Sequence, residues 1–119
     1  MDSSAVIIDS NAFIYSIRQR IDLKKSLQDM GFRDMLVPDC VIRELEGLSA
    51  SVREAKAALE IAARFKPVMV EGTCDSAIVR HAMNNRCSIL TNDREMISEA
   101  KSGKIHVFTI KRSGIIDTA

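Results

Sequence analysis

The strongest constraint on this chain is a short apolar run that ends in three polar residues. Residues 5–8 read Ala-Val-Ile-Ile, and Asp9, Ser10 and Asn11 follow directly. A continuous apolar run of this length is typical of a strand buried on both faces, as in the middle of a parallel sheet. In open α/β sheets, functional groups gather just beyond the carboxyl ends of the strands. Asp9 is therefore the first candidate for a functional site.

Strand-like and helix-like segments alternate along the rest of the chain. Further short strands are predicted at residues 35–38, 67–70, 88–91 and 105–110. The helices predicted between them are one from Ser10 or Asn11 to about Met30, and others at residues 40–48, 53–65, 75–85 and 94–101. Residues 111–119 are expected to be irregular. This alternation predicts one α/β domain over residues 1–119, with a parallel sheet and right-handed crossovers.

Composition is compatible with one globular domain and does not by itself identify a partner. The chain has 119 residues and a formal net charge of +1, which argues neither for nor against nucleic-acid binding. Cys40, Cys74 and Cys87 show no paired spacing, so we expect free thiols in a reducing compartment. We expect a cytoplasmic protein, because residues 1–4 do not resemble a signal peptide and no apolar run approaches the roughly 20 residues that span a bilayer.

Four carboxylates are expected at one edge of the predicted sheet. Asp9 and Asp93 each follow an apolar strand, while Glu44 and Asp75 lie in the first turns of helices that follow strands. In a parallel sheet, these positions all lie at the same edge, where four acids would repel one another. A hard divalent cation such as Mg²⁺ or Mn²⁺ relieves that repulsion. Two such ions about 3.5–4 Å apart can activate a water molecule and stabilise the leaving oxygen of a phosphodiester.

The helical wheel of residues 40–48 distinguishes two acids on the same helix. Glu44 lies about 65° from the centre of the apolar stripe, whereas Glu46 lies about 130° away. Glu44 is therefore predicted to turn toward the protein and Glu46 toward solvent, and a buried acid needs a partner, a metal or a proton. Asp39 is predicted to cap this helix.

Four motifs together resemble those of PIN-domain nucleases. They are Ile7-Ile8-Asp9-Ser10-Asn11, Val37-Pro38 followed by Val41-Ile42-Arg43-Glu44-Leu45, Asp75-Ser76-Ala77-Ile78, and Leu90-Thr91-Asn92-Asp93. The resemblance implies a three-layer α/β/α sandwich with strand order 3-2-1-4-5. It also implies an endonuclease that cleaves single-stranded RNA with one or two Mg²⁺ or Mn²⁺ ions. The acids that match the family as catalytic residues and metal ligands are Asp9, Glu44, Asp75 and Asp93, and the supporting polar residues are Ser10, Asn11, Thr91 and Asn92.

Basic residues suggest where RNA phosphates would bind, although a solvated helix face is the more common reason for such residues. The resemblance leaves the biological role open between the toxin of a toxin–antitoxin pair and a nuclease for ribosomal-RNA processing. The corresponding partners are an antitoxin or a ribosomal-processing protein, and family members often form homodimers. The candidate phosphate-binding residues are Arg18, Arg20, Lys24, Lys25, Lys111 and Arg112.

Three further kinds of protein share parts of this pattern. A catalytically weak RNA-binding or scaffold module could keep the fold, although all four acids are present here. A phosphoacceptor receiver domain needs an Asp at the end of the third strand, where this chain has Val70-Glu71. A dinucleotide-binding domain needs a glycine-rich turn, where this chain has Asp9-Ser10-Asn11.

Overall fold

The computed structural model describes residues 4–119, so the expectation about a signal peptide falls largely on residues 1–3, outside the described part. The strands are β1 (Ala5–Ile8), β2 (Asp34–Pro38), β3 (Lys66–Val68), β4 (Ser88–Leu90), β5 (Val107–Ile110) and β6 (Ile116–Thr118). The helices are α1 (Ser10–Arg18), α2 (Leu23–Asp29), α3 (Asp39–Leu48), α4 (Ala55–Ala62), α5 (Cys74–Asn85) and α6 (Arg94–Ser102). Between residues 4 and 119, no helix has the length and apolar character needed to cross a membrane.

The apolar run that ends at Asp9 forms a central strand of a six-stranded sheet. The strand order is β3-β2-β1-β4-β5-β6, and the first five strands are parallel. Val6, Ile7 and Ile8 are completely buried, as expected for a strand covered on both faces. The predicted order 3-2-1-4-5 is confirmed.

Helices cover the sheet in two groups, which gives three layers. α1, α3 and α4 pack against one another, whereas α5 packs against α6. Right-handed crossovers place the helices that follow β1 and β2 on one face and those that follow β3 and β4 on the other. The strand order therefore reverses between β1 and β4, and the crevice for a ligand is expected beyond the carboxyl ends of these two strands.

The prediction of an irregular tail at residues 111–119 is wrong, because the chain forms a sixth strand there. β6 pairs antiparallel with β5, and the amide of Lys111 donates to the carbonyl of Ile115 at 2.8 Å across the turn. Gly114 has a φ of +85°, which a residue without a side chain adopts at little cost. Ile116 then packs against the core, and this contact holds the strand in place.

The single helix predicted from Ser10 or Asn11 to Met30 is also wrong. Asp9 is the N-cap of α1, and its carboxylate accepts the amide of Ser10. The chain then turns at Arg20, whose φ is +55°. A second helix starts because Asp22 caps it, accepting the amide of Lys25 at 3.1 Å.

Two of the three predicted free thiols are paired, which corrects that expectation. Cys40 and Cys74 form a disulfide with their Cα atoms 5.7 Å apart, whereas Cys87 is free and buried. The two partners are 34 residues apart in sequence, so no local spacing indicates the bond. They meet because α3 and α5 both begin at the carboxyl edge of the sheet.

Candidate metal centre

Three of the four predicted acids converge at the carboxyl edge of the sheet. One carboxylate oxygen from each of Asp9, Asp75 and Asp93 lies within 4.8 Å of the other two. Asp9 directly follows β1, Asp93 follows the end of β4 and Asp75 lies in the first turn of α5. Asp9 is 3% exposed, Asp93 is half-buried and Asp75 is exposed. The group therefore extends from the core to the surface at the carboxyl ends of β1 and β4.

The buried position of Asp9 raises the pKa of its carboxyl group. Its Oδ1 accepts the amide of Ser10 at 2.8 Å, and its Oδ2 accepts the hydroxyl of Thr91 at 2.9 Å. Burial raises the pKa of Asp9 from 3.8 to about 6, and the charges of Asp75 and Glu44 add to the rise, against the effect of the two hydrogen bonds. The charged form of Asp9 is thus poorly compensated by the protein alone.

A hydrogen-bond network of polar side chains fixes the segment after β4. The hydroxyl oxygen of Thr91 accepts the amide of Asp93 at 3.1 Å, and Oδ1 of Asn11 accepts the amide of Asn92 at 2.9 Å. The amide side chain of Asn92 both donates to and accepts from the backbone of Ile110, at 3.0 Å in each direction. The three supporting residues Asn11, Thr91 and Asn92 thus tie the ends of β1, β4 and β5 together, while Ser10 contributes its backbone amide to Asp9.

Asp93 has a structural task besides its place among the acids. It is the N-cap of α6, and its Oδ1 accepts the amides of Glu95 at 2.9 Å and Met96 at 3.5 Å. Both bonds use the same oxygen, so the second oxygen is available to a ligand. Glu95 itself is exposed in the first turn of α6.

Glu44 lies outside the close group and is exposed, so the expectation of a carboxylate turned into the protein is wrong. The helical wheel gives the direction of Glu44 relative to the apolar stripe of α3, but it does not show whether another element covers that direction. The charge of Glu44 nevertheless contributes to the raised pKa of Asp9. Glu46 is exposed, as the wheel predicts.

The candidate phosphate-binding residues fall into two places. α1 begins at the acids and its axis extends about 13 Å from them, so Arg18 at its far end lies away from the site. Arg18 pairs with Glu54 at 3.3 Å, and Lys25 pairs with Asp29 at 3.4 Å. Arg20 and Lys24 are exposed in the turn and helix that follow. Only the exposed pair Lys111-Arg112, directly after β5, lies at the same edge as the acids.

The residues of the site fit a divalent cation. All three close donors are carboxylate oxygens, which Mg²⁺ and Mn²⁺ prefer. Among residues 4–119, no lysine, arginine or histidine forms an ion pair with Asp9, Asp75 or Asp93. A buried carboxylate without a cationic side chain needs a proton or a metal ion to compensate its charge.

A separate cleft lies at the opposite edge of the sheet, away from the acids. It has a volume of about 770 Å³, and its lining includes Ser4, Cys87 and Ser88 at the amino ends of β1 and β4. None of the converging carboxylates lines it.

Comparison with known proteins identifies relatives over nearly the whole chain. A family model described as a PIN like domain matches residues 6–113. Ribonuclease VapC9 of Archaeoglobus fulgidus is 31% identical over 110 residues, which cover 88% of this chain and 82% of that protein. The rRNA-processing protein fcf1 of Schizosaccharomyces pombe is 35% identical over 99 residues, covering 76% of this chain and 50% of fcf1. The chain thus spans only about half the length of this second relative.

Solved structures share the fold. The PIN domain endonuclease Utp24 has a TM-score of 0.78 and 27% identity, and the match covers 96% of this chain and 90% of the Utp24 chain. A chain of VapBC2 from Rickettsia felis, solved bound to a DNA fragment from its promoter, has a TM-score of 0.64. That match covers 90% of this chain and 99% of the other at 16% identity, so it supports the fold alone.

Proposed function

The chain belongs to the PIN-like domain family of ribonucleases, and from this premise we propose that it is a metal-dependent endoribonuclease that hydrolyses single-stranded RNA. The observation that carries the proposal is the convergence of Asp9, Asp75 and Asp93, which form no ion pair with a cationic side chain in the described part of the chain. The relatives named as a ribonuclease and as an endonuclease support the reaction class.

In this proposal, Asp9, Asp75 and Asp93 are the ligands of Mg²⁺ or Mn²⁺, and Glu44 is the fourth acid at the exposed rim. When bound, the cation supplies an activated water and neutralises charge on the phosphate. Thr91 and the amide of Ser10 hold the carboxylate of Asp9 in one orientation through bonds to both of its oxygens. One or two ions are compatible with this donor set.

Lys111 and Arg112 are proposed to contact the RNA backbone beside the acids, because they follow β5 at the same edge. The other candidate basic residues lie farther from the acids and would contact the RNA only if it continued around α1. They are Arg18, Arg20, Lys24 and Lys25. Relatives of both kinds match, so we propose either an antitoxin or a ribosomal-RNA-processing protein as the partner. A second copy of the chain is a further proposed partner, and the cytoplasm is the proposed location.

The test is cleavage of defined single-stranded RNA by the purified chain. With Mn²⁺ we expect products that carry 5′-phosphates and 3′-hydroxyls, because water rather than a neighbouring 2′-hydroxyl attacks phosphorus. EDTA should stop the reaction, and Asp9→Asn should abolish it. Glu46→Gln is the matched control on the same helix as Glu44 and should cleave normally.

Three outcomes would contradict the proposal. A 2′,3′-cyclic phosphate product would reject hydrolysis by water. Cleavage by the purified chain that persists in EDTA or in Asp9→Asn would mean that the reaction needs neither the metal nor this site. Intact Mn²⁺ binding without cleavage of varied RNAs would favour the RNA-binding module with a PIN fold.

A further inference from the structure

The Cys40–Cys74 disulfide joins the first turns of two helices that otherwise have different neighbours. Cys40 is the second residue of α3, and Cys74 is the first residue of α5. α3 packs against α4, α1 and β2, whereas α5 packs against α6, β4 and β1. The disulfide therefore crosses the carboxyl edge of the sheet and connects the two helical layers beside the acids.

Each of these helices carries one of the candidate acids close to its cysteine. Glu44 lies four residues after Cys40, on the same face of α3, and Asp75 directly follows Cys74. These are the two acids whose charges act on Asp9. The covalent link thus lies between the two helix starts that bring negative charge to Asp9.

Asp75 has fewer hydrogen bonds to hold it in place than Asp9 and Asp93. The loop between β3 and α5 is exposed, with Met69 87% exposed and Gly72 at a φ of +91°. One hydrogen bond ties this loop to α3, from the amide of Val70 to Oδ1 of Asp39 at 3.0 Å. The prediction that Asp39 caps α3 is wrong, because Pro38 is the N-cap and Asp39 is the first residue of the helix. The disulfide is the second tie, at the residue that precedes Asp75.

We propose that the Cys40–Cys74 disulfide is a positioning crosslink of the carboxylate site, and that its reduction by a dithiol weakens divalent-cation binding. This inference rests on the proposed function, since it concerns the same metal site. Asp75 and Glu44 are held at one separation while the bond is intact. After reduction, the loop before α5 keeps the hydrogen bond from Val70 to Asp39 and the one from Arg80 to the carbonyl of Glu71, but α5 loses its covalent link to α3, so the oxygens of Asp75 sample a wider range.

The redox step is an ordinary thiol–disulfide exchange. Cys74 is half-buried and Cys40 is 7% exposed, so the reagent thiolate attacks the sulfur of Cys74. Cys40 leaves as a thiolate and takes a proton. The second reagent thiol then displaces Cys74, and the reagent becomes a cyclic disulfide. Two electrons and two protons pass from the dithiol to the two cysteines.

The experiment measures Mn²⁺ affinity, by the electron paramagnetic resonance signal of free Mn²⁺, without RNA. Three proteins are compared: the oxidised wild type, the wild type reduced with dithiothreitol and then freed of it under argon, and Cys40→Ser/Cys74→Ser. A thiol count in denaturant checks the states, with one thiol expected before reduction and three after. We expect reduced and doubly substituted proteins to bind Mn²⁺ about tenfold more weakly, as for other groups that orient metal ligands.

Cys87→Ser is the matched control. Burial and the charge of Asp34 raise the pKa of the Cys87 thiol, and this residue lines the cleft at the opposite edge. The variant should therefore respond to reduction as the wild type does, whereas Cys40→Ser/Cys74→Ser should not respond. The reduced wild type serves as the test if the double variant fails to fold.

Specific results would overturn the inference. Three thiols in the unreduced protein would mean that the bond does not form. Equal Mn²⁺ affinity before and after reduction, with only a lower melting temperature, would mean that the disulfide stabilises the fold without positioning the metal ligands. A wild type that binds Mn²⁺ in a disulfide-dependent way but cuts no RNA would reject the proposed activity while supporting the crosslink. Absence of Mn²⁺ binding to the oxidised protein would reject the metal site and the crosslink together.

Discussion

The hydroxyl of Thr91 donates to Oδ2 of Asp9 at 2.9 Å and accepts the amide of Asp93 at 3.1 Å. Thr91 is completely buried and directly follows β4, so one side chain joins two of the three converging acids. This relationship makes Thr91 the most informative supporting residue to change.

Thr91→Val should destabilise the metal-free protein and weaken Mn²⁺ binding. The change removes a hydrogen bond that lowers the pKa of Asp9 and leaves the half-buried amide of Asp93 without its acceptor. Loss of such a partner costs about 1–3 kcal/mol of unfolding free energy. Urea unfolding in EDTA measures it. Thr91→Ser keeps the hydroxyl and should stay near the wild type, so equal losses in both variants would point to the methyl group instead.

The metal-free protein should become more stable as the pH falls from 7 to 5. The folded pKa of Asp9, about 6, exceeds its ordinary value of 3.8, so the folded state binds the proton more tightly. The stabilisation by the proton is complete below pH 3.8 and is lost as the pH rises through about 6. The shift corresponds to about 3 kcal/mol between those limits.

Melting in EDTA across this pH range checks the prediction, with Asp9→Asn as the control that cannot titrate. The dependence should be smaller in the variant. Mn²⁺ binding should show the opposite trend and weaken below about pH 6, because a protonated carboxyl is a poor ligand. A wild type and an Asp9→Asn protein with the same pH profile would rule out Asp9 as the titrating group.

Two substitutions of Asp93 should separate its cap from its place among the acids. Asp93→Asn keeps an oxygen for the amides of Glu95 and Met96, whereas Asp93→Ala removes it. Both should lose the rise in melting temperature that Mn²⁺ gives the wild type. Only Asp93→Ala should also lose about 1 kcal/mol in EDTA, the usual cost of a missing cap. Retention of the full Mn²⁺ effect in Asp93→Asn would remove Asp93 from the metal site.

Glu44 and Glu46 should differ in function although both are exposed. Glu44→Gln removes a charge that raises the pKa of Asp9, so it should lower that pKa and leave the metal-free protein at least as stable. We expect it to lose most of its RNA cleavage, whereas Glu46→Gln should cleave normally. Equal cleavage by both variants would show that Glu44 is not needed for the reaction.

The centre of the fold could be predicted from residues 5–11, because a fully apolar strand must be covered on both faces and therefore lies inside a sheet. The position of Asp75 in the first turn of α5 could be predicted from the helical pattern that begins there. The strand order rested on the resemblance to a family, since periodicity identifies strands but does not order them.

The errors share a physical cause, which is that tertiary contacts override local patterns. Arg20 turns the chain with neither glycine nor proline to mark the break. The Cys40–Cys74 pair depends on two helix starts meeting across the sheet. The wheel of α3 describes one helix and does not show whether another element covers Glu44, which is exposed. The tail did contain a usable signal, because Ser113-Gly114 before two isoleucines is typical of a hairpin turn.

The two edge strands of the sheet, β3 and β6, are poor templates for pairing with strands of other molecules. β3 has only three residues, and its Pro67 has no amide hydrogen while Lys66 is exposed and charged. β6 is equally short and carries the exposed Asp117. Short edges with proline and charge disfavour the addition of strands from other molecules. The protein should therefore resist edge-to-edge aggregation at high concentration.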